Sequence, residues 1–116
     1  MKRINIENPK RIEYFVSKSV TSWRIEYIGQ GEDNDIYYYN LIHKENPKKA
    51  IHIEIHSQTQ QLYNPESFEK LDNEWVKINL IHPLKPNVIK FIRLEEFKDM
   101  RRVFNTLHDG ARQLLQ

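Results

Sequence analysis

The 116-residue chain reads as a single α+β domain over residues 1–116. Its fold is a layer of about five mostly antiparallel strands packed against a long C-terminal helix and a short N-terminal helix. Three observations predict it. Ala50 to His56 alternates apolar and polar residues without a break, which in a strand puts three isoleucines on one face and His52, Glu54 and His56 on the other. Leu94, Phe97, Met100, Val103, Phe104, Leu107, Ala111 and Leu114 recur at helical spacing. The strand-like runs follow one another through connections too short for a crossover helix, so they form an antiparallel meander with helices on its apolar face.

The elements follow in order. Asn8-Pro9 is a helix start, with a side chain that caps free N–H groups and a proline preorganised for the first turn. Ile12, Phe15, Val16 and Val20 continue it as one apolar stripe, which predicts a helix over about residues 9–19. Thr21 to Ile28 changes to period two, and residues 29–34 (GQGEDN) form a turn. Ile36 to His43 is the second strand, Glu45 to Lys48 a turn, and Ala50 to Ser57 the third strand. Gln58 to Asn73 is polar and repeats the Asn-Pro start at Asn64-Pro65, so it reads as a loop holding one helical turn. In Glu74 to His82, Val76, Ile78 and Leu80 alternate with Lys77, Asn79 and Ile81, and Pro83 ends the strand. Lys85-Pro86-Asn87 turns the chain into Val88 to Arg93. From Leu94 the period is helical, with Glu95 and Glu96 in the first turn and Arg112 near the end, as the helix dipole favours. Gly110 is expected to fray or bend the last turn.

Composition excludes several classes of function. With no cysteine, the chain has no disulfide framework, zinc ribbon or thiol nucleophile. The first residues lead into no apolar signal core, and the longest apolar run is far short of a membrane span. A cytoplasmic protein without a membrane segment is expected. The net charge of +2 conceals segregation: residues 1–24 sum to +4, 25–84 to −5 and 85–116 to +3. If the chain ends meet on one side of the sheet, they form a basic face able to steer an anionic partner.

Three constellations carry chemistry. His52, Glu54 and His56 share a strand face and are the candidate metal ligands, but His52 and His56 lie about 13 Å apart along an extended strand. A shared ion therefore needs a residue from a neighbouring strand. His43 and His82, at the ends of other strands, are the nearest imidazoles in the sequence pattern. The second set is aromatic and basic. Trp23, Tyr27, Tyr37, Tyr38, Tyr39 and Trp75 fall on strands, with Tyr38 on the opposite face from Tyr37 and Tyr39. Exposed rings among them offer stacking platforms, while Arg24, Lys77, Lys90 and Arg93 can neutralise phosphate, the combination single-stranded binders use. The third is the polar side of the last helix, with Lys98, Arg101 and Arg102. Each set also reads as an ordinary solvated face. Phosphate-cradling loops, a nucleophile elbow and a calcium loop are all missing, so a catalytic role and a cofactor are not expected.

A strand-rich body closed by a long C-terminal helix is similar in general architecture to small single-stranded nucleic-acid binders of the PUR and Whirly type, and to several inhibitor and immunity proteins. That likeness is one of topology and implies no residue roles. The leading expectation is a non-enzymatic protein that acts through a protein partner, as an inhibitor, immunity, anti-defence or assembly factor. A single-stranded nucleic-acid-binding module is the alternative, and a metal-dependent hydrolase the third reading. The sequence leaves the oligomeric state open.

Overall fold

In the computed structural model of the chain, the described residues are 4, 9–10, 12–13, 23–31 and 35–115. Among these residues six antiparallel strands form one sheet: β1 (Trp23–Gln30), β2 (Ile36–His43), β3 (Ala50–His56), β4 (Gln60–Tyr63), β5 (Lys70–His82) and β6 (Lys85–Arg93). A 3-10 turn at Glu96–Lys98 then leads into α1 (Met100–Leu115). β1, β2, β3 and β5 are neighbours in that order, and β6 lies on the far side of β5.

β3 and β4 share one edge of the long strand β5. Ile55 pairs with Ile78 and Gln60 with Trp75, so five steps along one strand answer three along the other. The surplus residues bulge out around Ser57 to Thr59, and the ribbon bends there. The bend is tied down: Asp35 O accepts hydrogen bonds from Ser57 N at 2.7 Å and Ser57 Oγ at 2.9 Å, and Ser57 O accepts from Ile4 N at 2.7 Å.

The core lies on the face where the apolar parity predicted it. Ile51, Ile53 and Ile55 of β3 and Val76, Ile78 and Leu80 of β5 are fully buried, and α1 lays Val103, Leu107, Ala111 and Leu114 over that side. Each such valine, leucine or isoleucine side chain contributes about 2 kcal/mol of apolar burial. Ile12 joins the same core. The Tyr39 hydroxyl donates to Pro9 O at 3.0 Å, tethering the N-terminal segment to β2. Burial holds the Tyr39 phenol well above its usual range, so it stays a neutral donor. Tyr39→Phe keeps the ring and removes the tether. It should cost about 1 kcal/mol in urea unfolding, and an unchanged midpoint would mean the bond contributes nothing.

Several boundaries depart from the sequence expectation. The stretch from Gln58 to Asn73 is not a loop: it holds β4, the start of β5 and, between them, a hairpin turn that contains the one expected helical turn, closed by Phe68 N donating to Asn64 O at 2.8 Å. Asn64 does act as a cap, but on the turn, where its Oδ1 accepts from Glu66 N and Ser67 N. The GQGEDN turn starts later than predicted, because β1 runs on to Gln30 through a bulge between Tyr27 and Gly29. Gly29 has φ +149°, which L side chains rarely adopt. The final hairpin turns at Pro83-Leu84 instead of Lys85 to Asn87, with His82 Nδ1 accepting from Leu84 N at 3.0 Å. Pro86 is tolerated inside β6 because that strand pairs only with β5.

The last helix begins at Met100, six residues later than its periodicity suggests. Asp99 caps it, with Oδ1 accepting from Arg101 N at 3.0 Å. Glu95 and Glu96 therefore precede the helix, in the 3-10 turn region. At the other end Lys85 Nζ donates to Leu114 O at 2.6 Å, placing a cation on the helix C-terminus. Gly110 does not fray this end; it is buried against Leu80. The short helix expected over residues 9–19 falls for the most part outside the described residues.

Candidate functional site

Alternation along each strand and register across strands give the sheet a second face. β3 contributes His52, Glu54 and His56 to it. Tyr38 lies opposite Glu54 and Asn40 opposite His52, so β2 adds these two. β5 contributes Trp75, Lys77 and Asn79, and β6 contributes Ile89, Phe91 and Arg93 through the pairs Asn79 with Ile89, Lys77 with Phe91 and Trp75 with Arg93. Directly paired side chains on one face have Cβ atoms about 5 Å apart, so these groups form a continuous surface. The helix α1 packs on the other side of the sheet, and no described element covers this one.

The centre of the open face is polar and partly shielded. Asn79 Nδ2 donates to Glu54 Oε1 at 3.1 Å, and His56 Nε2 stands 3.8 Å from the same oxygen. His52 Nδ1 hydrogen-bonds Asn40 Oδ1. Burial, opposed by Glu54 and reinforced by Lys77, pushes the His56 imidazole below its usual pKa. The sign of the pH effect follows. Below about pH 6.5 the unfolded chain takes up a proton that folded His56 resists, so this residue's contribution to stability is complete above that pH and lost on acidification. His56→Gln should therefore flatten the fall in the urea midpoint between about pH 7.5 and 5.5. Equal falls in both proteins would assign the effect elsewhere.

Toward β6 the face becomes aromatic, apolar and basic. The Arg93 guanidinium lies 5.5 Å from the centroid of the Trp75 ring. Beside them Phe91 is 36% exposed and Ile89 49% exposed, unusually open for large apolar side chains on the middle of a strand. Trp75 Nε1, His56 Nε2 and Asn79 Oδ1 are shielded from solvent and have no hydrogen-bond partner among the described residues. Among the described residues, Lys77 and Arg93 form no ion pair, whereas Arg24 lies 3.7 Å from Glu26 near the opposite edge.

The residues singled out from the sequence are scattered. Tyr37 and Tyr39 are 2% and 1% exposed, inside the core, so neither ring presents a face for stacking. They share parity with Leu41 and are drawn in by the isoleucines of β3, Tyr37 opposite Ile55 and Tyr39 opposite Ile53. Lys90 lies opposite Ile78 on the helix-covered side of β6. Of the candidate basic partners, Arg24, Lys77 and Arg93 lie on the open face. Lys98 falls in the 3-10 turn, and Arg101 and Arg102 are exposed at the start of α1, Arg102 at 3.5 Å from Glu96.

Of the candidate metal ligands, Glu54 and His56 come together and His52 turns to Asn40. His43 is on the opposite face, edge-on to Trp23 at 4.6 Å. Among the described residues no three His, Asp or Glu side chains gather into a metal-binding group. Trp75 and Lys77, both within the aromatic and basic set, do lie on this face, and the residues missed by the sequence reading are Ile89 and Phe91. The available signal was their parity, opposite to that of the core residue Ile92 of β6.

Among the described residues no helix is long and apolar enough to cross a membrane. Comparison of the chain with protein-family models, with curated proteins and with solved structures gives no match.

Proposed function

We propose that this protein is a non-enzymatic binding protein that docks a protein partner on the open face of its sheet. One observation carries the reading: Phe91 and Ile89 stand exposed in mid-strand beside Trp75 and Arg93, on a face that no described element covers. Aromatic residues and arginine in such a patch, rimmed by polar groups, are the composition of protein interfaces and their hot spots.

Charge favours a protein over a nucleic acid. Among the described residues of this face Arg24, Lys77 and Arg93 are balanced in part by Glu26 and Glu54, and Arg24 is engaged by Glu26. Binding a polynucleotide draws on several cations along its backbone, and Lys77 with Arg93 makes no such track. Of the rings considered for base stacking, Tyr37 and Tyr39 lie in the core.

A photo-cross-linking amino acid at position 89 in the full chain, activated in the native cell, tests the reading. The expected result is a stoichiometric adduct with one protein, and none from the same group at Arg112 on the exposed side of α1. Adducts with nucleic acid, or equal labelling from both positions, would overturn it.

A further inference from the structure

The corner of the open face nearest β6 combines two kinds of group at close range. Lys77 pairs directly with Phe91 across β5 and β6, and the next pair in the same direction is Trp75 with Arg93. Lys77 and Arg93 thus flank an exposed phenylalanine, with Ile89 on the other side of Phe91 along β6, opposite Asn79. Neither cation has an ion-pair partner among the described residues. The nearest carboxylate on the face, Glu54, is occupied by Asn79 at 3.1 Å and faces His56 at 3.8 Å.

We infer that the occupant of this corner is a peptide segment carrying an aspartate or glutamate beside an apolar side chain, an inference that rests on the docking reading above. The apolar side chain packs on Phe91 and Ile89, whose exposed area needs cover. The carboxylate lies between Lys77 and Arg93. Arg93 is held by its stack on Trp75, so it is presented with little freedom left to lose and can meet a carboxylate through two parallel N–H groups. Two cations on adjacent strands match one or two carboxylates. Complementary charge would also set the orientation of the segment and speed its encounter.

The experiment is selection of a displayed random-peptide library on the immobilised full chain, followed by titration of the enriched peptides. Trp23→Phe leaves Trp75 as the sole tryptophan, so its emission reports on this corner directly. Enriched peptides should pair Asp or Glu with an apolar neighbour, and replacing the acid by its amide should weaken them roughly tenfold. Lys77→Glu with Arg93→Glu should abolish binding, and lysine-substituted peptides should bind that double variant, a reversal that a misfolded protein could not show.

Neutral or basic peptides that ignore the charge reversal but are lost with Phe91→Glu would overturn the acidic occupant and leave the docking reading standing. Selection insensitive to both the charge reversal and Phe91→Glu would overturn both. Displacement of the peptides by a thymidine oligonucleotide at physiological salt, with tighter binding than any peptide, would transfer the site to nucleic acid.

Discussion

Gly110→Val should destabilise the domain by about 2 kcal/mol or more, lowering the thermal midpoint by roughly 8 °C. A Cβ at this position would meet Leu80 Cδ1 at 2.8 Å and Cδ2 at 2.9 Å, closer than real Cβ contacts come. Leu80 is fully buried in the middle of β5, so its methyl groups cannot swing aside without disturbing the core. Valine adds two further carbons to the same collision. Helix propensity works the other way, since glycine is about 1 kcal/mol worse than alanine within a helix. Gly110→Ala should therefore cost less than valine does.

The decisive form of the experiment is a double-mutant cycle. Leu80→Ala alone should cost about 2 to 5 kcal/mol by opening a cavity. In the double variant the valine introduced by Gly110→Val enters that space. The pair should consequently be more stable than the sum of the single effects allows, by about 1 kcal/mol or more. Simple additivity in urea unfolding would mean that the helix and strand do not touch here.

The second large effect concerns binding and not folding. Ile89→Glu with Phe91→Glu should cut partner cross-linking from the open face at least roughly tenfold while changing stability by less than about 1 kcal/mol. Loss of apolar anchors from the centre of an interface commonly costs about 2 kcal/mol or more of affinity. Partly exposed positions on an edge strand usually cost the fold far less. A control pair, Arg101→Glu with Arg112→Glu, puts acidic residues on the helix side and should leave the adduct intact. If the control abolishes the adduct and the open-face pair does not, α1 is the docking element.

The contact of Gly110 with Leu80 was invisible in the sequence: the helical stripe placed residue 111 on the inner face, and glycine at 110 looked like a weak point near the end. Only the approach of the helix to β5 shows that the missing side chain is what allows it so close. The open face was half legible. His52, Glu54 and His56 were assigned to it by alternation alone, and the same parity in β5 and β6 marks Trp75, Lys77, Ile89 and Phe91. Tyr37 and Tyr39 were misplaced because a run of three tyrosines has no polarity contrast of its own. Leu41 and Asn40, just beyond, carried the parity that the tyrosines lacked.

Residue periodicity alone determined the α+β class, the antiparallel run of strands, the isoleucine core of β3 and the existence of the C-terminal helix. These follow from repeats of two and near four, which are local properties of the chain. Pairing decided the rest. β4 (Gln60–Tyr63) and the first residues of β5 lack the apolar alternation that marks a strand, and they form a ladder because each completes the other's hydrogen bonds. The joining of Lys77, Phe91, Trp75 and Arg93 into one corner is likewise a consequence of register between two strands, and no single segment encodes it. Which face α1 covers was also decided in the tertiary structure. The helix packs its apolar stripe on the side that carries the isoleucines of β3 and Val76, Ile78 and Leu80 of β5, and among the described residues the other face is left uncovered.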